Sequence, residues 1–523
     1  LSGNKINMKK ILKGIFLFIG LFLIVIIIAI LFPLSSIEVP KRHSSILIKS
    51  IDIIDVETGS ILNDRDVLIK EDTIVSINTT RITKAPKSTF IINGKGKYLI
   101  PGLWDMHTHS NQHSPWLHHP LYIANGVTGI RDMSGILDKK DSYWVGSNER
   151  LKWNNDLLTN NRVTPRYVLQ SSYQIDGKHS VPSDSPSFFK LENTGDVSKL
   201  LNFYKKEKVD FIKVYQQIKP QSYRRLALES PKYGIHLAGH KPMFLSLEEA
   251  INLGQKSFEH GRIFILESFP KAASLRNPEN WKEFYFNSKK SMISGYDKSV
   301  AIRLMELMKE KNAYWVPTSQ TLKFEAKAHK EQFLDNPNLK YITQIRKQLW
   351  WGADVRINTE RNLSPEGKDV SKDFYETLKK QIQKANDIGV PIMAGTDVTD
   401  TYTFAGFSLH DELKDLTEFG LSNLEALQTA TLIPASYANL QTSYGSVETG
   451  KIADLIILDG NPLDNIDNTK KINSVLLNGV VYDSKKIDEL KVLTESIASS
   501  FHVNIKVFIS LASSPLIRVQ FAD

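Results

Sequence analysis

Apolar residues follow several different spacings along this chain, and each predicts a different element. Over 14–34 the run Gly-Ile-Phe-Leu-Phe-Ile-Gly-Leu-Phe-Leu-Ile-Val-Ile-Ile-Ile-Ala-Ile-Leu-Phe-Pro-Leu carries no charge and no polar face. As a helix it spans about 30 Å, the thickness of a bilayer's hydrocarbon core. Lys5, Lys9, Lys10 and Lys13 lie ahead of it. By the positive-inside tendency, 1–13 is a cytoplasmic basic leader, 14–34 a transmembrane anchor, and the rest is carried across. A cleaved signal peptide is the rival reading, but its apolar core is usually shorter, and no small-x-small cleavage site stands near Pro33-Leu-Ser-Ser36. The chain is expected to be a single-pass membrane protein whose body is extracytoplasmic, periplasmic or at the cell surface.

From 43 to 100 the spacing changes to short β-rich runs broken by turn residues: Ile46-Leu-Ile-Lys-Ser-Ile-Asp-Ile-Ile54, Asp66-Val-Leu-Ile-Lys70, Thr73-Ile-Val-Ser-Ile77 and Thr89-Phe-Ile-Ile-Asn93. A matching set recurs within 441–486, in Asp454-Leu-Ile-Ile-Leu458 and Asn473-Ser-Val-Leu-Leu-Asn-Gly-Val-Val-Tyr482. Two such sets at opposite ends suggest one small β-sandwich completed by both chain ends, with a separate domain inserted between them.

That domain, 101–440, alternates strands with helices. Strand candidates are Leu103–His109, Thr128–Asp132, Arg166–Gln170, Phe211–Tyr215, Gly234–Ala238, Ser257–His260, Tyr314–Pro317 and Pro391–Asp397. Helical patterns such as Val300–Lys309 and Asp373–Lys384 intervene. Alternation calls for a parallel sheet, and eight units suggest an α/β fold of the (β/α)8 TIM-like barrel type. Periodicity does not separate this from a doubly wound sheet. Long segments at 134–165, 264–300 and 322–372 look like insertions over one face, where such enzymes shape their pockets. The tail, 487–523, has a helical pattern and a short apolar stretch at Val507–Ala512. It is too short for a second span and is expected to pack on the barrel or touch the bilayer.

Composition narrows the classes. With 41% hydrophobic and 24% charged residues over 523 positions, the body reads as globular. The net charge of +9 is spread out, without a Lys/Arg block or aromatic-basic interleaving, so no nucleic-acid partner is expected. The absence of cysteine excludes disulfides, thiolate metal sites, a cysteine nucleophile and any cysteine-linked lipid anchor.

The candidate chemistry sits at the ends of predicted strands, where barrel enzymes carry their active sites. His107 and His109 are two apart and share one strand face. Lys213, His240, His260 and Asp397 stand at or near the ends of four other strands. Each has a bland reading: a loop histidine, a capping histidine, a strand lysine with its head in water, or a helix N-cap. Together they would converge in space. Four histidines and a carboxylate can bind one or two divalent ions, zinc being common for nitrogen-rich sites. A lysine could join two metals only after gaining a carboxylate. A metal lowers the pKa of bound water toward ~7, and Asp397 would take the water's proton and pass it to the leaving group.

The ordered set Pro101-Gly-Leu-Trp-Asp-Met-His-Thr-His109, Phe211-Ile-Lys-Val-Tyr215, Gly239-His-Lys-Pro242, Phe258-Glu-His-Gly261 and Ala394-Gly-Thr-Asp397 resembles the amidohydrolase superfamily, most closely its imidazolonepropionase/prolidase-like branch. Leu409-His-Asp-Glu-Leu413, Asn423–Thr431 and Gly445–Leu458 also look like that family's C-terminal signature. The resemblance implies a first metal on His107, His109 and Asp397, a second on His240 and His260, and a carbamylated Lys213 between them. It selects His240 over His236, which is left as a core or supporting residue. Tyr215 shares a face with Lys213 and is the candidate substrate contact. The run Val-Tyr-Gln-Gln-Ile after Lys213 departs from the small, Gly-rich run of prolidase-like members and argues against a dipeptidase specificity. His113, His118 and His119 are expected at the surface or rim.

The leading expectation is a membrane-anchored, metal-dependent hydrolase cleaving amide (C–N) bonds of small molecules, cyclic amides or peptides through metal-bound hydroxide. Its cofactor would be Zn2+ or another divalent metal, two ions in number. Its partners would be a small-molecule or peptide substrate and membrane lipid along the N-terminal helix, with a homo-oligomer as an option. A lactonase or organophosphate esterase using the same centre is one alternative. A non-catalytic, membrane-tethered binding protein of the same fold is the other.

Overall fold

The computed structural model describes residues 8–34, 36–79, 81, 87–365 and 367–522. The first seven residues of the basic leader, Lys5 among them, lie outside the described residues. The apolar run forms a helix over Met8–Leu31. Its stretch Ile11–Leu31 has a mean hydropathy of 3.3 and is long and apolar enough to cross a membrane, a criterion that a signal sequence also meets. The helix ends before Pro33, three residues short of the expected limit at Leu34, because proline cannot supply the next backbone donor.

Strands β1 (Ser45–Ile54), β2 (Ile61–Lys70), β3 (Thr73–Asn78), β4 (Phe90–Asn93) and β5 (Tyr98–Pro101) come from the first β-rich region. Later in the chain come β6 (Leu103–Thr108), β7 (Val127–Asp132), β8 (Arg166–Gln170), β9 (Phe211–Val214), β10 (His236–Gly239), β11 (Ser257–Glu259) and β12 (Tyr314–Val316). The last three are β13 (Leu455–Leu458), β14 (Ile472–Leu477) and β15 (Val480–Asp483).

Both chain ends meet in one eight-stranded sheet, in the order β15-β14-β13-β5-β1-β2-β3, with β4 also paired to β1. The joint is β5–β13, antiparallel, with Ile100 opposite Ile456. Where the sequence suggested a sandwich, the hydrogen bonding makes a single continuous sheet. Two irregularities in β1, between Ile48 and Ile51 and between Ile51 and Ile53, let it pair with β4 over its first half and β5 over its second. Ile46, Ile48, Val67, Leu99, Leu455 and Ile457 from both ends pack into one apolar cluster.

The central strands are all parallel. β6-β7-β8 form one set and β9-β10-β11-β12 another. Parallel bridges join them: Ser171 to Phe211, Trp315 to Ile392, and Thr108 to Val398. Trp104, Met106, Leu169, Phe211, Ala238, Val316 and Met393 pack together in one interior cluster. Neighbouring strands thus aim side chains at a shared centre, consistent with a TIM-barrel-like domain in an α/β fold.

One expected strand is corrected. Pro391–Asp397 forms no regular strand: the only β-pairing in and just after it, among the described residues, is single bridges at Ile392 and Val398, alongside scattered backbone hydrogen bonds to His107, Trp315 and Thr429. The reason is local: a Cβ on Gly395 would lie 2.6 Å from Val316 Cγ1 and 2.9 Å from the His107 backbone N, so the segment passes too close to β6 and β12 for ordinary side chains.

The tail is helical over Ser484–Ser499, Phe501–Ser513 and Pro515–Ala522. It packs on the body: Val503 and Val507 cluster with Leu117 and Ala498, with Leu34 and Ile345 against them. This tail overturns the rim expectation for His113 and His119, while His118 is half-buried. The helix Ser484–Ser499 packs over the two short helices that carry them, and His113 and His119 are buried.

Candidate metal centre

The geometry starts in β6. Asp105 is buried and accepts hydrogen bonds from Thr396 N at 3.0 Å and Thr396 Oγ1 at 2.6 Å, clamping β6 to the 391–397 segment. Two residues on, His107 faces the same interior, and Gly395 lets Asp397 come alongside. Asp397 and His260 both adopt left-handed backbone conformations, with φ of 62° and 72°. For residues bearing a Cβ this costs about 1–2 kcal/mol each. Such strain concentrates where side-chain placement matters for function.

The predicted residues converge. Asp397 Oδ1 lies 3.0 Å from His109 Nε2 and 3.3 Å from His107 Nε2, and Asp397 Oδ2 lies 3.5 Å from His260 Nδ1. His260 Nε2 and His240 Nε2 are 3.0 Å apart. His107, His260 and Asp397 each offer a ligand atom within 4.8 Å of the others. Lys213 is buried and lines the same cavity, as does Tyr215, whose ring centroid is 4.0 Å from that of His240. His236 is not part of this group. It stacks on Phe211 and faces Tyr437 Oη at 3.1 Å, on the wall of a different cavity.

Outer partners orient the rings. Glu259 Oε2 lies 3.0 Å from His107 Nδ1 and also accepts from Arg131 Nη2 at 2.7 Å, while Ser257 Oγ donates to Oε1 at 2.7 Å. A carboxylate on Nδ1 places the proton there and leaves the Nε2 lone pair pointing inward. His107 Nε2 is buried and hydrogen-bonds to nothing, Asp397 included. An orphaned acceptor beside a carboxylate and two more imidazoles is the donor set a divalent cation fits. On His260, Nδ1 is 2.9 Å from Thr318 Oγ1; on His240, Nδ1 is 3.4 Å from Gln216 Nε2.

Electrostatics agree with lone-pair donation. Burial, reinforced by Lys213, pushes His109 down to about 4. Burial likewise takes His260 to about 3 and His240 well below its usual value. All three are therefore neutral near pH 7. Burial opposes ionisation of Asp397, but His107, His109 and His260 overcome it and hold the carboxyl well below the usual range. Glu259 shows the same contest, settled by Arg131 at about 2. Burial lowers the Lys213 ammonium to about 8 against the pull of Asp397 and Glu259.

The cavity over these groups measures about 550 Å³. Each of the three long insertions contributes to its wall: Trp144 from the first, Leu266 and Lys282 from the second, Glu325 and Trp350 from the third. Gln520 of the tail lines it too. Sequence reasoning missed Asp105, Arg131, Glu259, Thr318, Trp144 and Gln520. Asp105 and Glu259 stand within the quoted motifs, two residues before His107 and one before His260, and could have been found as carboxylates beside candidate ligands. Arg131, a cation inside an apolar strand, was a visible signal as well. Gln520 has none.

The amidohydrolase family model matches residues 220–482. A curated relative, the 5-methylthioadenosine/S-adenosylhomocysteine deaminase of Clostridium tetani (strain Massachusetts / E88), is 37% identical over 67 residues, which cover 13% of this chain and 16% of the deaminase. The chain thus spans about one sixth of the length of that relative. Among solved structures, bottromycin amidohydrolase superposes with a TM-score of 0.68 at 21% identity, covering 88% of this chain and 91% of that one. A Xaa-Pro dipeptidase with bound methionine in its active site gives 0.58 at 18% identity, covering 84% and 100%. At these identities the likeness is one of fold.

Proposed function

The chain belongs to the amidohydrolase family and is a hydrolytic enzyme, and from that premise we propose that it is a membrane-anchored, metal-dependent hydrolase of C–N bonds in small amides, cyclic amides or peptides. The observation that carries this reading is the convergence of four histidines, Lys213 and Asp397 on one cavity. His107 and His109 would hold a first divalent ion with Asp397, and His240 and His260 a second. Lys213, as its carbamate, would supply the anionic oxygens between them that an ammonium lacks. A divalent ion bound there supplies Lewis acidity, which acidifies water and polarises a carbonyl oxygen.

The chain's own groups do the rest. Three imidazoles held neutral by burial keep their lone pairs available at pH 7. Asp397 is ionised and accepts the proton of the attacking water. As the C–O bond forms and the C–N bond breaks, the same carboxyl returns that proton to the leaving nitrogen. Tyr215, beside His240, would contact the acyl portion of the substrate.

This reading keeps the division into leader (1–13), anchor (14–34), a β domain shared by both chain ends (43–100 and 441–486), a TIM-like barrel domain (101–440) and helical tail (487–523), with the body outside the cytoplasm. Deamination is also C–N hydrolysis, and the short deaminase match favours including it. The test is a metal-replete screen of the purified chain against N-acyl amino acids, dipeptides, lactones, phosphate esters and aminopurines, scored for acid, amine, ammonia and alcohol release. Hydrolysis confined to lactones or phosphate esters would overturn the C–N assignment.

A further inference from the structure

The C-terminal helices do more than cover apolar surface. The loop that carries Trp144 is stitched to them along its length. Ser142 Oγ donates to Ser510 O at 2.8 Å, and Ser510 Oγ donates back to Ser142 O. Asp141, whose carboxylate accepts from the backbone N of Tyr143 and Trp144 at 2.8 Å each, also receives Ser514 Oγ at 2.8 Å. At the end of this seam Trp144 Nε1 donates to Gln520 Oε1 at 3.0 Å, and Gln520 Nε2 donates to Gln174 Oε1 at 3.4 Å. The indole so held lies 6.1 Å, centroid to centroid, from the His109 ring. Trp144, Gln174 and Gln520 all line the cavity that holds the histidines, as do Gln216 and Gln217.

We propose that Gln520 is a specificity-determining residue: it pins Trp144 beside His109 and, with Gln174, completes a carboxamide wall that receives the part of the substrate away from the scissile bond. Carboxamides offer one acceptor and two donors without charge. The indole adds a flat apolar face. This pairing suits a neutral, planar hydrogen-bonding group, a second amide, in preference to an alkyl chain. A site that satisfies such a group with half-buried polar partners discriminates against analogues that lack it. The kinetic side of the inference rests on the hydrolase reading above; the placement of Trp144 does not.

Deleting the last helix would remove Leu516 and Ile517, both buried in the main apolar core, and would confuse folding with specificity. Point variants of the full-length chain avoid this. Two substrates sharing one scissile amide are compared, one bearing a second amide and one an alkyl group of the same length. Gln520→Ala should lower kcat/KM for the amide-bearing member about tenfold, mainly through KM, while the alkyl member changes less than about twofold. Acrylamide quenching of the Trp144 component, isolated by subtracting Trp144→Phe from the eight-tryptophan background, should rise in Gln520→Ala. It should return toward wild type in Gln520→Glu, which keeps the acceptor for the indole N–H. An unchanged substrate ratio would overturn the proposal, and so would an equal loss on both substrates accompanied by loss of bound metal. If the wild type hydrolyses neither compound, the functional reading fails separately. Calorimetric binding of the same pair, with the quenching comparison, then decides the role of Gln520.

Discussion

His107 and Glu259 lie 152 residues apart in sequence, yet His107 Nδ1 and Glu259 Oε2 approach to 3.0 Å with both side chains fully buried. Glu259 is itself anchored by Arg131, which bonds the backbone O of Met106 one residue before His107. The direction in which His107 presents its inner nitrogen is therefore set by the Glu259 carboxylate and the Arg131 guanidinium.

Glu259→Gln tests that relationship. The variant keeps the shape and loses the charge that fixes the ring's tautomer. Metal affinity should fall about 10–100-fold, the usual cost of losing an outer partner of a ligating histidine. Competitive titration with a chelating dye measures this. Unfolding free energy should also drop, by about 3–5 kcal/mol, because Arg131 is left without its counter-charge.

Asp397→Asn separates proton transfer from assembly. Turnover should fall by about 10²–10⁴ if the carboxylate moves the proton, with metal content nearly retained. Single-turnover rates alongside elemental analysis distinguish the two. A fully active variant would mean that another group is the base.

Gly395→Ala tests the close passage of the eighth segment. The added methyl would meet Val316 Cγ1 and the His107 backbone at contact distances no real Cβ tolerates. Overpacking should cost about 1–3 kcal/mol. Because His107 is one of the two neighbours that must give way, metal affinity should drop with stability. Urea denaturation and metal titration on the same preparation check the coupling.

The pH dependence is followed at histidines away from the proposed metal ligands. Burial lowers both His113 and His410 from 6.5 to about 4. Between these values the unfolded chain binds protons that the folded chain refuses, so stability rises with pH across about 4 to 6.5 and is lost as pH falls through it. The slope is at most about 1.4 kcal/mol per histidine per pH unit. Thermal unfolding of chelator-treated protein should show the melting temperature falling through this window. His410→Asn should flatten that fall.

Much of the site was legible because its signals are local. The two-residue spacing of His107 and His109 on an apolar strand, and a histidine or acid after each of several other strands, needed only strand periodicity and the placement of chemistry at strand ends. The parallel segments likewise announced themselves as apolar runs. What was not legible depends on contacts between distant segments. The 391–397 stretch reads as a strand, yet its irregular path is imposed by Val316 and His107. His113 and His119 look like loop residues until the tail helix covers them. Gln520 acquires its place only through the seam between Asp141, Ser142, Ser510 and Ser514, which no periodicity records.

The most direct test is elemental analysis of the purified full-length protein, followed by chelation and refilling with hydrolysis measured at each stage. The expected result is one to two equivalents of a divalent metal, hydrolysis lost on chelation and restored on refilling. Full hydrolytic activity in protein that holds no metal and ignores chelators would contradict the account.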